Sequence, residues 1–178
     1  LLKPENPELL SLLEQEIPHL RRFARYVSRD PAMADDLVQE CLVRAIANGH
    51  SWQPGTNLRA WLFVILRNVF LNERRKRSRE AVSLVDADHP TLSVAGDQEA
   101  RLALIEVNDA LLNLSEDHRE ILLLVGVEGM TYEDVSQVLD IPLGTVRSRL
   151  ARARTALRES LAEGKGKAPK SSEEKSRA

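Results

Sequence analysis

The chain has 178 residues, 43% of them hydrophobic and 29% charged, with a net charge of −2. That balance belongs to one ordinary domain or two small ones, and it excludes both a large multidomain enzyme and a disordered polyelectrolyte. Aromatic residues make up only 4%, and no stretch alternates Val, Ile, Thr and Tyr, so the expected fold is all-α rather than a β-sandwich or barrel.

In chain order, Pro18 stands at the expected start of a first helix, in which Leu20, Phe23, Ala24 and Val27 recur at helical spacing. Asp30-Pro31 breaks it and opens a second helix, with Ala34, Leu37, Val38, Cys41, Leu42, Ala45 and Ile46 on one face and Asn48-Gly49 at its end. His50 to Asn57 carries Pro54-Gly55 and reads as a loop. A third helix is expected from Leu58 to about Arg79, apolar almost all round in its first turns and basic in its last. Ala81 to Gly96 loses periodicity and reads as a linker between two helical modules. The pattern resumes at Asp97 with a helix carrying Leu102, Ile105, Val107 or Asn108, Leu111 and Leu112. Another follows, capped by Ser115, with Ile121, Leu122, Leu124 and Val125 on its apolar face and an end over Gly126 to Gly129. Thr131 caps a short helix from Tyr132 to Leu139, Asp140 to Pro142 form a tight turn, and a last helix runs from Leu143 to about Leu161. The polar residues beyond Gly164 are expected to be disordered. The units are therefore 1–80, a linker 81–98, 99–162 and a tail 163–178.

Charge is segregated along the chain. Arg67 to Arg79 holds six bases against Glu73 alone, Ala81 to Ala100 holds four acids and no base, and Leu143 to Arg158 holds five arginines and no acid. Two basic surfaces separated by an acidic stretch point to polyanion contact at two places. The single Cys41 completes neither a disulfide nor a zinc pattern, and no apolar run reaches the ~18 residues of a membrane span, so a cytoplasmic protein is expected. His19, His50, His89 and His118 are scattered without metal-ligand spacing, and no Gly-rich loop follows a strand. No catalytic residues, metal or cofactor are assigned.

The pair of helices from Thr131 to Arg158 reads as a helix-turn-helix. Leu143, Val146, Leu150, Ala153 and Leu157 form a buried stripe on the second helix, which turns Thr145, Ser148, Arg149 and Arg152 outward and leaves Arg147, Arg154 and Arg158 at the stripe's edge. Arginine forks suit guanine edges, and hydroxyls suit phosphates or bases. On the third helix Trp61, Val64, Asn68, Asn72 and Arg75 share a band. Either they bind an opened strand, with Arg74, Arg75 and Lys76 on its phosphates, or Trp61 is core and the basic run is a solvated helix end. Asp35, Asp36, Gln39 and Glu40 line the outer edge of the second helix, serving either the helix dipole or a basic partner.

Taken together, Asp35-Asp36-Leu37-Val38-Gln39-Glu40, Asn57-Leu58-Arg59-Ala60-Trp61-Leu62, Arg67-Asn68, Tyr132-Glu133-Asp134-Val135, Pro142-Leu143-Gly144-Thr145-Val146-Arg147-Ser148-Arg149 and Arg152-Ala153-Arg154 resemble a bacterial extracytoplasmic-function (ECF) sigma factor, from Ile17 to Leu161. The resemblance implies a promoter-recognition subunit of RNA polymerase built from two helical domains, sigma regions 2 and 4. It implies that Asp35, Asp36, Gln39 and Glu40 dock on the polymerase core enzyme. Ser51, Trp52, Gln53 and Asn57 would belong to a loop that captures a flipped minus-10 base. Trp61, Asn68, Asn72, Arg74, Arg75 and Lys76 would hold the opened strand. Arg147, Ser148 and Arg152, with Thr145, Arg149, Tyr132 and Glu133, would meet the minus-35 element. The acidic linker would thread the polymerase toward the transcript exit. No receiver domain accompanies these parts, so control of the expected stress-response promoters is assigned to a separate anti-sigma factor. The rival readings are a free-standing helix-turn-helix regulator and a sigma-like decoy.

Overall fold

The computed structural model describes residues 7–80 and 98–165. The described residues form α1 (Pro7–Ser28), α2 (Pro31–Ala47), α3 (Leu58–Glu80), α4 (Gln98–Asn113), α5 (Glu116–Leu122), α6 (Tyr132–Leu139) and α7 (Leu143–Lys165), with no strand among them. The expected linker and nearly all of the polar tail lie outside the described residues.

Helix α1 begins at Pro7 and runs through Pro18 instead of starting there. Proline removes the N–H that would have bonded the Glu14 carbonyl, and its ring crowds that carbonyl. Pro18 is exposed, and Leu9 and Leu13 bury one turn apart on the face that continues to Leu20, Phe23, Ala24 and Val27. Packing thus carries the helix across its weak point.

Asp30 Oδ1 accepts from the Ala32 and Met33 N–H groups at 3.0 and 3.2 Å, a cap worth ~1 kcal/mol, and Pro31 follows at the first helical position. Met33, Ala34, Leu37, Val38, Cys41 and Ala45 of α2 are buried. Ile46, expected on that face, is instead 39% exposed, and Val43 is 59% exposed. In the last turn of α2 only Ala45 still faces the core. Cys41 Sγ donates to the Leu62 carbonyl at 3.5 Å, and burial pushes the thiol up to about 12, with the charge of Arg44 opposing the rise. Its thiolate is therefore about a thousandfold scarcer than in an unfolded chain. We expect iodoacetamide to label Cys41 in denaturant within minutes and to leave the native protein unmodified. Rapid native labelling would refute this burial.

Helix α3 is capped by Asn57, whose Oδ1 accepts from the Ala60 N–H at 3.1 Å. Ala60, Leu62, Phe63, Leu66, Val69 and Phe70 are buried, and the Phe63 ring meets Phe23 of α1 at 5.1 Å between centroids. These three helices form the first unit.

In the second unit the C-terminal half of α4 is core (Ala110, Leu111, Leu112), but Leu102 and Ile105, expected on the buried face, are 57% and 45% exposed. Ser115 holds the N-cap position of α5 without a side-chain hydrogen bond. Leu123–Val127 widen into a π-type turn, in which the Glu128 N–H donates to the Leu123 carbonyl at 2.9 Å. Gly129 then takes φ +66°, a left-handed turn open to glycine, and the chain enters α6. Thr131 and Asp134 cap each other reciprocally at the start of α6. Asp140 links α6 to α7 in the left-handed region at φ +53°. Val146, Leu150 and Ala153 of α7 are buried, with Leu157 packed at their edge.

The units do not stand apart. Buried residues from Leu9 to Ala153 form one continuous cluster, with α6 packed on α3 and α5 on α1.

Candidate nucleic-acid interface

Two cationic faces are open to solvent. On α3, Asn68, Asn72, Arg75 and Lys76 are exposed while Trp61 and Val64 are half-buried, so the expected stripe lies along one outward line. Asn72, Arg75, Lys76 and Arg79 border a groove of about 410 Å³. Arg74 is drawn out of this set. Its guanidinium lies 5.8 Å from the Phe70 ring centroid and ion-pairs with Glu116 of α5. Arg77 pairs with Glu73 one turn back at 3.2 Å.

The loop before α3 departs from expectation at Trp52. This residue is 7% exposed and belongs to the hydrophobic core, so its ring cannot stack on a flipped base. The ring joins the same buried cluster as Leu9 and Leu13, where its large apolar area is removed from water. Ser51 and Gln53 are exposed, and Ser51 Oγ donates to the Asn48 carbonyl at 2.8 Å. Asn57 is exposed but occupied: besides capping α3, its Nδ2 donates to Asp134 Oδ2 at 2.9 Å.

On α7, Ser148 and Arg152 are exposed on the face opposite Val146, Leu150 and Ala153, Arg147 is exposed at the edge of that buried stripe, and Thr145 is half-buried. Arg152 Nε lies 3.4 Å from the Ser148 carbonyl and Ser148 Oγ 3.2 Å from that of Thr145, which lays the side chains along the helix surface. Arg149 differs from the outward reading. Its side chain is 19% exposed and pairs with Asp117 of α5 at 3.3 Å. Its long stem packs where α7 meets α5, and the mostly exposed Asp117 adds only a weak pair at its tip. On the supporting helix α6, Glu133 is exposed and Tyr132 half-buried.

On α2, Asp35, Asp36, Gln39 and Glu40 are all exposed along one edge. Asp35 lies 3.6 Å from Arg21, and Glu40 accepts from Arg44 Nε at 2.6 Å. Pairs so open to water are worth ~1 kcal/mol or less, and Asp36 has no ion pair among the described residues. The face remains acidic and available.

Sequence reading missed a set of buried polar groups: Asn108, Arg119, Glu120 and Glu128. Tyr26 donates to Asn108 Oδ1 at 2.8 Å. Glu120 has its pKa raised by burial, against the pull of Arg67 at 3.5 Å, and its Oε1 has no hydrogen-bond partner among the described residues. Arg119 is lowered to about 10, first by burial and then by the charge of Arg29, and stays charged at neutral pH. A helical polar residue three or four positions from apolar neighbours on the same face, as Glu120 is from Leu124, was the available signal.

No group of potential metal ligands occurs among the described residues, and no described helix is long and apolar enough to cross a membrane. Residues 12–80 match the family model described as Sigma-70 region 2 and residues 104–157 that of Sigma-70, region 4. The chain belongs to the ECF sigma factors. The ECF RNA polymerase sigma factor EcfG of Rhodopseudomonas palustris (strain TIE-1) is 47% identical over 141 residues, 79% of this chain and 78% of that protein. ECF RNA polymerase sigma factor SigC of Mycobacterium tuberculosis (strain CDC 1551 / Oshkosh) is 40% identical over 139 residues, 76% of this chain and 74% of that protein. Among solved structures, the sigma factor RpoE from Bartonella quintana, crystallised with the anti-sigma factor NepR, superposes with a TM-score of 0.74 at 37% identity, covering 88% of this chain and 98% of that one. Helices α1 to α3 are thus sigma region 2, and α4 to α7 are sigma region 4.

Proposed function

We propose that this ECF sigma factor docks on core RNA polymerase through the acidic edge of α2, holds the opened minus-10 strand along α3, and reads the minus-35 duplex with α7. The observation that carries the reading is the pair of outward cationic faces, Asn72-Arg75-Lys76-Arg79 on α3 and Arg147-Ser148-Arg152 on α7, each mounted on a helix whose opposite side is core. The first offers amides and cations without a deep duplex-reading shape, which suits an unstacked strand; the second is a helix-turn-helix reader. Asn68, Asn72, Arg75 and Lys76 form the strand-binding set, with Trp61 at its edge and Ser51 and Gln53 on the neighbouring loop. Asn57 and Arg74 join it only when released from Asp134 and Glu116. Thr145 and Glu133 flank the duplex-reading set, and Tyr132 and Arg149 support it from inside.

An anti-sigma factor is the proposed regulator, on the strength of the Bartonella quintana relative having been captured with one. The exposed α7 arginines disfavour a decoy, which has no use for them.

The test mixes the purified chain with sigma-free core polymerase and maps runoff transcripts from a library of genomic promoters. Transcripts sharing two spaced upstream elements support the reading, and their absence with a folded protein defeats it. In the same assay, Arg152→Ala is expected to cost roughly 1 to 3 kcal/mol at one minus-35 base pair and to relax preference there. Equal weakening on every sequence would make Arg152 a phosphate contact.

A further inference from the structure

Arg154 and Arg158 of α7 are both exposed, and neither guanidinium has an ion pair or hydrogen bond among the described residues. Their neighbours are engaged: Arg149 pairs with Asp117, and Arg152 lies along the helix against the Ser148 carbonyl. Local helix physics does not account for the two free charges. Like charges one turn apart weaken a helix. The helix dipole favours cations only in the last turn, and α7 continues to Lys165, beyond both residues.

Around the α7 axis, Arg147, Arg154 and Arg158 fall within about 40° of one another, on a line roughly 16 Å long. That line is turned by about 120° from Ser148 and Arg152 and by about 90° from the buried stripe of Val146, Leu150 and Ala153. A helix about 10 to 12 Å across nearly fills a major groove ~12 Å wide. With Ser148 and Arg152 turned to the base edges, side chains a third of a turn away meet a groove wall, and the wall is phosphate. Arg158 stands roughly 15 Å along the axis from Ser148, the rise of about four base pairs, so it lies over backbone flanking the bases that are read. The opposite wall is served differently. There Thr145 is half-buried and Arg149 is packed against α5, so the free cations of α7 among the described residues all lie on one side of the reading line. Glu159, exposed on the same line as Ser148 and Arg152, limits close approach at the far end, since its carboxylate repels phosphate.

We propose that Arg154 and Arg158 form a phosphate clamp on one strand beside the minus-35 element, a contact that sets register and affinity without reading sequence. The proposal rests on the reading of α7 as the minus-35 reader. It divides α7 into a line that discriminates bases, through Ser148 and Arg152, and a line that is blind to them.

Arg154→Gln combined with Arg158→Gln removes both charges and keeps a good helix former at each position. Binding of the reconstituted holoenzyme to labelled promoter duplexes is titrated between about 50 and 200 mM salt. The expected result is a slope of log K against log salt shallower by about 2, with affinity reduced on the order of tenfold and by the same factor on every minus-35 sequence. Neutral methylphosphonates placed one at a time beside the element should weaken the wild type at positions on one strand that no longer matter to the variant. The clamp is overturned if the slope is unchanged or if the loss falls on one base pair alone. It is also overturned if transcription drops while DNA affinity and slope are kept, which would make the face a protein contact. An unchanged slope beside a base-specific loss in Arg152→Ala defeats the clamp and leaves α7 as the reader. Should the double variant lose its helical circular dichroism, Arg158→Gln alone carries the test, with a slope change of about 1. If no form binds core polymerase, the sigma reading fails, and titration of the free full-length chain on duplex DNA at low salt decides the clamp: a slope shallower by about 2 in the double variant upholds it, and an equal slope or no binding by the wild type overturns it.

Discussion

Replacing Arg119 with methionine should destabilise the protein by ~3 to 5 kcal/mol, a substantial share of the stability of a chain this size. Arg119 Nε donates to the Leu111 carbonyl at 3.1 Å, Nη2 to those of Leu112 and Leu114 at 3.3 and 2.7 Å, and Nη1 to that of Tyr26 at 3.3 Å. Tyr26, Leu111 and Leu112 lie in the last turns of α1 and α4, where carbonyls lack intrahelical donors and the helix dipoles are negative. One guanidinium therefore closes the ends of two helices from the two halves of the molecule. Methionine fills much of the volume but strips the Tyr26 and Leu114 carbonyls of the guanidinium, while the Leu111 carbonyl keeps only the Leu114 N–H and the Leu112 carbonyl only Arg29. Lysine keeps the charge but has no planar fork, so Arg119→Lys should also lose more than ~1 kcal/mol. Urea unfolding checks both, as a lower midpoint at unchanged slope. A methionine variant within ~1 kcal/mol of wild type would show that water or neighbouring donors replace the guanidinium.

The second large effect is functional. Asp36→Lys combined with Glu40→Lys should weaken binding to core polymerase by at least about a hundredfold, since placing like charges across an interface costs several kcal/mol. Both side chains are exposed, Asp36 has no ion pair among the described residues, and Glu40 has only the Arg44 pair on its own helix. The fold should therefore change by less than ~0.5 kcal/mol per site. Pull-down on immobilised core polymerase, with the melting temperature as control, reads both. Retained binding at unchanged stability would remove the α2 edge from the docking role.

The outlines of these two results were visible in the sequence to different degrees. The α2 acids, the α3 stripe and the α7 stripe were legible because each is periodic within one helix, and local period fixes which side faces out. Pro18 marks a start for α1 that lies a full eleven residues late, because packing of Leu9, Leu13 and Leu20 on one face overrides the local breaker. The burial of Trp52 is not legible locally, because a loop tryptophan is periodic with nothing in its own segment and joins the core only through the folded chain. The same holds for Glu128 and Arg119. Each is an ordinary charged residue in its own segment, and the contact that ties it to the other unit comes from far along the chain, 106 positions between Glu128 and Arg22 and 93 between Arg119 and Tyr26. Arg149 turned inward for a related reason, since Asp117 that holds it belongs to another helix.

Asp134 carries a further implication. Its carboxylate closes the capping box that starts α6, accepting from Thr131 Oγ1 at 2.8 Å, and the same carboxylate accepts from Asn57 at the head of α3. One functional group thus serves the construction of a reading module and its contact with the other. Divergence within such a lineage cannot adjust the two separately: a substitution at Asp134 selected for looser pairing would also fray the helix that supports DNA reading. A substitution at Asn57 would instead remove that contact and leave the α6 cap whole, at the expense of the cap on α3.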